Sequence, residues 1–187
     1  MVADRGANAR FSPADLPDAL EAGAVLVSGY LLFHPGSEAA GRAALERARA
    51  GHVAVDAASW PLLRDLGPGR FLEAVGSATM LLLNAKEAET LAGPDPEAAA
   101  ARLAERFAVV AVKLGAEGVL MATAGGVDRF PVEPVREADP TGAGDAFDGV
   151  LLAALTRDIP LEEAVRRACA AGATVAASSS SWPEARP

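Results

Sequence analysis

A run of four apolar residues at positions 109–112 restricts the fold of this chain most. A strand of this composition is typical of the interior of a parallel sheet, where both faces are covered. Three further strands are predicted at residues 24–28, 52–56 and 79–83, and segments with a helical period separate them. This alternation predicts an α/β fold with a mainly parallel sheet between two layers of helices, a three-layer αβα arrangement.

The remaining elements complete a single domain over residues 1–187. A helix is expected from Ser12 to about Ala22, because serine is a good N-cap and Pro13 suits the first helical position. The chain shows no internal repeat and no linker long enough to separate two domains. The other predicted elements are a hairpin over 119–123 and 127–132, a short helix near Phe71, and helices at 36–50, 84–91, 94–107, 142–156 and 161–178.

Composition and charge exclude several classes of protein. Hydrophobic residues make up 51% of the sequence, which argues against disorder, and a net charge of −8 argues against nucleic acid or an anionic membrane as partner. The sequence has no signal-peptide pattern and no apolar run of the roughly 18 residues that a membrane span needs. Cys169 is the single cysteine, so an internal disulfide is excluded and a reducing, cytoplasmic location is expected. His34 and His52 are far apart and do not form a zinc-binding pattern.

The stretch 139–147, DPTGAGDAF, combines a polar turn with three very small residues and an acid. Thr141 is predicted as the N-cap of a helix whose first turn is formed by residues 142–144. Such small residues leave the free N–H groups of a helix start open to an anion such as a phosphate, which the helix dipole also favours. Asp145 is then either a helix-start acid that the dipole stabilises, or a general base for a hydroxyl that attacks a phosphorus.

Two other glycine-rich phosphate-binding patterns fit the sequence less well. The chain contains no P-loop pattern, which requires G-x-x-x-x-G-K-[ST]. A dinucleotide fingerprint requires glycine where this chain has Phe147, and it belongs in a first βαβ unit rather than late in the chain.

The pattern D-x-T-G-A-G-D-x-F in this stretch resembles the C-terminal signature of the ribokinase-like sugar kinases, the PfkB family. The resemblance implies a ribokinase-like fold and ATP-dependent phosphorylation of a hydroxyl on a sugar or sugar acid. It also implies that Asp145 is the catalytic base and contacts the substrate. In that family the preceding amides, here those of Gly142, Ala143 and Gly144, form an anion hole.

Two further segments resemble the same family. Asn84 and Glu87 stand at i and i+3 of a predicted helix start, which by itself predicts a capping box. The resemblance implies that Asn84 contacts the nucleotide and that Glu87 organises Mg²⁺ through water, so ATP and Mg²⁺ are the expected cofactors. Lys113, Gly115 and Gly118 match a K-L-G-x-x-G segment that implies nucleotide binding. The alternative for these three is an exposed lysine and a simple hairpin turn.

The expected sugar site is less well defined. Arg5 and Asn8 match segments near the sugar pocket of members that resemble 2-keto-3-deoxygluconate kinases and fructokinases, although a solvated loop explains them equally well. Asp56 matches an acid at a strand end in the family. The Asn and Arg that often follow that acid are replaced by Ala58 and Trp60, which weakens the prediction of an acidic sugar.

The resemblance begins partway into the family's pattern, so we expect a domain without the first strands, the lid and the Gly-Gly motif. The alternative to a sugar kinase is therefore a catalytically inactive, nucleotide-binding fragment of one. Pairing with a second copy as a homodimer, and a monovalent cation near residues 178–181, are further expectations.

Overall fold

Within residues 6–136 and 138–178, which this computed structural model describes, six strands form one sheet. The strands lie side by side in chain order. The first four pair in parallel and the last two add an antiparallel hairpin, which confirms the predicted mainly parallel sheet. The strands are β1 (Leu20–Ser28), β2 (Ala48–Asp56), β3 (Met80–Asn84), β4 (Val109–Lys113), β5 (Val119–Thr123) and β6 (Gly126–Phe130).

Helices connect the parallel strands and follow the hairpin. No helix in the described part of the chain has both the length and the apolar character needed to span a bilayer. The α-helices are α1 (Pro35–Arg47), α2 (Trp60–Leu66), α3 (Pro68–Ala74), α4 (Ala85–Ala92), α5 (Pro96–Leu103), α6 (Ala143–Leu155) and α7 (Leu161–Ala177). Single 3-10 turns occupy Gly6–Arg10, Pro13–Asp15, Gly29–Leu31 and Gly115–Glu117.

Two apolar layers cover the two faces of the sheet. On β4, Val110 and Val112 belong to the layer with α1 to α5, whereas Ala111 belongs to the layer with α6 and α7. Side chains alternate between faces along a strand, so an uninterrupted apolar run is needed where both faces are covered. The structure therefore confirms the three-layer arrangement.

The carboxyl ends of the parallel strands meet at one edge of the sheet. Ser28 at the end of β1 is paired with Asp56 at the end of β2, and Asn84 at the end of β3 is paired with Lys113 at the end of β4. In open α/β sheets, ligands bind beyond this edge. The register thus brings polar side chains from four strands into one region.

The predicted helix from Ser12 to about Ala22 is wrong. The structure has only the 3-10 turn Pro13–Asp15, and Leu16 already has extended backbone angles of φ −100° and ψ 144°. Pro17 explains the difference, because proline disfavours helical geometry in the residue before it and lacks the N–H that a helix interior needs. The chain instead enters β1 at Leu20.

The segment between β2 and β3 is more regular than the single short helix near Phe71 that the sequence predicts. It contains α2 and α3, which Gly67 separates with a positive φ of 95°. The buried side chains of Leu63 and Phe71 anchor these helices in the apolar layer that they share with α1. The two helices therefore belong to the core and not to a loose connection.

Candidate active site

Helix α6 begins one residue later than predicted. Gly142 and not Thr141 is its N-cap, with a left-handed φ of 83° and no side-chain cap. The Asp139 carboxylate accepts a hydrogen bond from the Thr141 N–H at 2.9 Å, which turns the chain just before the helix. Glycine adopts a left-handed conformation at low cost, so the turn places Gly142 and not Thr141 at the cap.

The backbone amides at this helix start are only partly used. The Ala143 N–H donates to the Pro140 carbonyl oxygen at 3.1 Å. Within residues 6–136 and 138–178, no protein group accepts the N–H groups of Gly142, Gly144 or Asp145. The Asp145 side chain is exposed in the first turn of α6. A helix start with unpaired donors attracts anions, so this end of α6 has the chemistry of a phosphate site, with two of the three predicted amides available.

A buried ion cluster lies beside this helix start. The Lys113 ammonium donates to Asp56 Oδ2 at 2.8 Å and to both carboxylate oxygens of Asp148 at 2.9 Å. The exposed fractions of these side chains are 15% for Lys113, 21% for Asp56 and only 1% for Asp148. A Cβ atom on Gly144 would lie 3.6 Å from the Lys113 Nζ, so the ammonium adjoins the first turn of α6.

The charges in this cluster shift the pKa values of its members. Burial raises the pKa of Asp148 to about 7; the Lys113 ammonium opposes this shift and the nearby Asp56 carboxylate adds to it. Burial lowers the pKa of Lys113, but the carboxylates of Asp148 and Asp56 outweigh it, so the pKa is raised. Lys113 is therefore a firmly charged ammonium between two carboxylates.

Asp148 is not among the site residues that the sequence predicts. Its spacing indicates a buried acid, because Leu151 and Leu152 follow Asp148 at i+3 and i+4 on the same face of α6. All three side chains are buried. A carboxylate on a core-facing stripe needs a buried cationic partner. The sequence could have shown that such a partner was required, but not that it was Lys113.

Asn84 and Glu87 form the predicted capping box at the start of α4. The Asn84 backbone N–H and side-chain amide donate to the two oxygens of Glu87, each at 2.8 Å, while Asn84 Oδ1 accepts from the N–H groups of Lys86 and Glu87. Glu87 is 2% exposed. Burial raises its pKa, and the Asn84 hydrogen bonds offset part of that effect. The charges of Asp56 and Lys113 also act on the Glu87 carboxyl, so the capping box lies near the ion cluster.

A cavity of about 290 Å³ opens between the start of α6, the turn after β4, the segment after β6 and helix α7. Its walls are mostly apolar and include Val119, Val132, Phe147 and Ala173. The predicted site residues among its lining are Lys113, Gly115, Gly118, Ala143 and Gly144. The structure therefore brings the predicted nucleotide segment and two of the predicted anion-hole residues to one cavity.

Gly115 and Gly118, which follow β4, are glycines for different structural reasons. A side chain at Gly118 would collide with the Phe130 carbonyl oxygen, so this glycine permits close packing against the end of β6. Gly115 has a positive φ of 62° and open space beside its Cα atom. Gly115 is thus the one of the pair that leaves room for a ligand.

The predictions at Arg5 and at residues 179–181 fall outside the described residues. Asn8 is exposed in the 3-10 turn Gly6–Arg10. The start of α1 packs against this turn, since Gly36 lies close to the Ala9 carbonyl. Asn84, Glu87 and Asp145 are not among the residues that line the cavity.

A family model described as the pfkB family carbohydrate kinase matches residues 1–184. The chain belongs to this family. The PfkB pattern DPTGAGDAF covers the turn before α6 and the first turns of that helix, where the unpaired amides and the exposed Asp145 lie.

Individual PfkB relatives match parts of the chain. Cytidine kinase from Thermococcus kodakarensis is 36% identical over 99 residues, which is 50% of this chain and 35% of the relative. A structure of aminoimidazole riboside kinase from Salmonella enterica, complexed with aminoimidazole riboside and an ATP analog, has a TM-score of 0.82 and 28% identity. Fructokinase from Vibrio cholerae, solved with fructose, ADP and calcium, has a TM-score of 0.72 and 26% identity. These similarities confirm the ribokinase-like α/β fold.

The chain spans only part of these PfkB proteins. The match covers 95% of this chain but 64% of the aminoimidazole riboside kinase chain. For the fructokinase the corresponding shares are 90% and 59%. The part of the PfkB fold that the structure describes includes the sheet, the start of α6 and the adjoining cavity.

Proposed function

We propose that this protein binds ATP in the cavity beside α6 and transfers its terminal phosphoryl group to a hydroxyl of a sugar or sugar-like substrate. One observation carries the proposal: the start of α6, where the Gly144 amide is unpaired, shares a cavity with Lys113, Gly115 and Gly118. Unpaired amides and an ammonium suit phosphates, and apolar walls suit a nucleobase. A single nucleotide has both of these parts.

The residues present are suited to ATP loaded with Mg²⁺. The two Glu87 oxygens already accept hydrogen bonds from Asn84, so Glu87 would reach a metal through water. Among the described residues, no group of three or more His, Cys, Asp or Glu side chains is arranged to hold a metal. Mg²⁺ typically keeps several waters and takes its other ligands from substrate phosphates, which this arrangement permits. When bound, it would neutralise charge on those phosphates.

In the proposed reaction, Asp145 takes the proton of the acceptor hydroxyl. The hydroxyl oxygen forms a bond to the terminal phosphorus, and the bond from that phosphorus to the bridging oxygen of ADP breaks. The amides of Gly142 and Gly144 then face the negative charge on the transferred phosphoryl oxygens. The exposure of Asp145 is consistent with this role, because a base must be reachable by a substrate from outside the helix.

The relatives support a class of acceptor for the proposed reaction. The similar proteins are kinases of cytidine, aminoimidazole riboside and fructose. We therefore extend the acceptor to a sugar hydroxyl that is either free or part of a nucleoside. Asp56 is engaged by Lys113 and accepts the Ala58 N–H at 2.8 Å, so it is not the first residue expected to select the sugar.

A second candidate is a nucleotide-binding protein without transfer activity. The observation that favours it is the 64% share of the aminoimidazole riboside kinase chain that the match covers. Phosphoryl transfer depends on positioning both reactants, so binding of the nucleotide alone does not produce turnover.

The test combines binding and turnover of the purified chain. Isothermal titration with ATP and Mg²⁺ measures binding, and ADP release is then followed with a panel of free sugars and nucleosides. Binding with acceptor-dependent ADP release supports the kinase. Binding without release for any acceptor supports the second candidate, and the absence of ATP binding contradicts both.

A further inference from the structure

The Lys113 ammonium is shared by two carboxylates that come from different parts of the fold. Asp56 ends β2, whereas Asp148 lies on α6, one turn after Asp145. Both contacts are short, 2.8 Å to Asp56 and 2.9 Å to Asp148. The position of the ammonium therefore reflects a balance between a carboxylate on the sheet and a carboxylate on the helix.

The balance between the two carboxylates decides how close the Lys113 charge comes to the start of α6, the proposed phosphate site. The Nζ atom lies 3.6 Å from the place where a Gly144 side chain would begin, and Lys113 lines the cavity together with Gly144. Asp148 lies four positions after Gly144 on the same helix, so its carboxylate binds the ammonium from α6. Asp56 ends β2 and binds the ammonium from the sheet.

Burial makes the contact with Asp148 the stronger constraint. Asp148 is 1% exposed and uses both of its oxygens, whereas Asp56 is 21% exposed and uses one oxygen on Lys113. Charge-assisted contacts gain strength when water is excluded from them. The helix carboxylate is thus the better anchor for the ammonium.

We propose that Asp148 is a positioning residue, which holds the Lys113 ammonium against the first turn of α6 so that its charge adds to that of the amides facing the nucleotide phosphates. Asp56 opposes this placement and limits it. The inference rests on the proposed function, because it assigns Asp148 a task at the same phosphate site.

The test compares Asp148→Asn with Asp56→Asn, two variants that each remove one carboxylate from the same ammonium. The affinity for ATP with Mg²⁺ is measured by isothermal titration at about pH 8.5, where Asp148 is ionised in the wild type. Adenosine is the control ligand because it has no phosphate. Asp148→Asn should weaken ATP binding about tenfold, which corresponds to about 1.4 kcal/mol, and leave adenosine binding unchanged. Asp56→Asn should bind ATP as tightly as the wild type or more tightly.

Opposite effects of the two variants on ATP affinity distinguish positioning of the ammonium from simple repulsion between the carboxylates and the phosphates. If the carboxylates only repelled the phosphates, both variants would tighten ATP binding, and that result overturns the proposal. Equal losses in both variants, or equal losses for ATP and adenosine, point to a merely structural role and also overturn it. A wild type that binds no ATP contradicts the proposed function itself, before any variant is compared.

A double variant keeps the test decisive if Asp148→Asn does not fold. Lys113→Met combined with Asp148→Leu replaces the buried pair by apolar side chains of similar size, a change that proteins often tolerate. This variant should fold, bind adenosine normally and lose ATP affinity about tenfold. Wild-type ATP affinity in the folded double variant overturns the proposal.

Discussion

The Lys113 ammonium donates to both carboxylate oxygens of Asp148 at 2.9 Å, although 35 residues separate the two in the chain. The pair joins the end of β4 to helix α6, and its carboxylate is almost completely buried. A buried charge that loses its partner is strongly destabilising, since it can neither be hydrated nor be neutralised without cost. This relationship makes the pair a clear target for measurements of stability.

The Lys113→Met variant should lower the free energy of unfolding by about 3 kcal/mol, because it leaves the Asp148 carboxylate buried without its cation. Urea denaturation at about pH 8.5, where Asp148 is ionised in the wild type, measures the change. Lys86→Met is the matched control, since Lys86 forms an exposed ion pair with Glu89 at 2.9 Å. Exposed pairs contribute less than about 1 kcal/mol, so similar losses in both variants would contradict the assigned importance of the buried pair.

The stability of the protein should decrease as the pH rises toward neutrality. Asp148 has a pKa of about 7 in the folded protein against an ordinary value of 3.8, so between these values the folded state binds more protons than the unfolded state. Its contribution to the free energy of unfolding is therefore present at low pH and is lost as the pH rises through about 7. The raised pKa of Glu87 acts in the same direction.

Asp148→Asn should flatten this pH dependence, which urea denaturation between about pH 5 and 8 measures. Asp15→Asn is the matched control. Hydrogen bonds from the Ser12 backbone and side chain lower the pKa of Asp15, so its contribution is lost only as the pH falls below its ordinary value of 3.8. An unchanged slope in Asp148→Asn would show that Asp148 takes up no proton on folding.

Ala58→Gly should stabilise the protein by about 1 kcal/mol, because Ala58 has a left-handed φ of 63° that disfavours a side chain. Thermal unfolding measures the change. Ala39→Gly, at an exposed position inside α1, is the control with the opposite sign, since glycine in a helix costs about 1 kcal/mol. A loss of stability in Ala58→Gly would show that the backbone at this position is not strained.

Asp145→Asn should reduce the rate of ADP release at saturating substrate by about 10² to 10⁴, because the amide cannot accept the hydroxyl proton. ATP affinity, measured by isothermal titration, should change little, since the amides and Lys113 remain. The exposed Asp65, which pairs with Arg64 on the surface, offers Asp65→Asn as the matched control with full activity. Normal turnover in Asp145→Asn would remove Asp145 as the base.

Local patterns in the sequence were sufficient to predict much of the fold. The apolar run in β4 reflects burial on both faces of the sheet, and the Asn84–Glu87 spacing predicts a capping box that the structure confirms. Both depend on neighbours within a few positions, where the helix or strand geometry alone decides which groups meet. The error at residues 12–22 was also local. Pro17 disfavours helical geometry at Leu16, and this effect outweighs the N-cap pattern at Ser12.

The amino-acid sequence by itself determined the fold class, the family and the stretch at the start of α6 that carries the family pattern. Only the tertiary structure decided that Asp56, Lys113 and Asp148 share one buried cluster, since these contacts join residues 57 and 35 positions apart. Spacing along a helix or strand does not specify which strand ends become neighbours. Sheet register and helix packing specify that, and they also place the Lys113 charge beside Gly144.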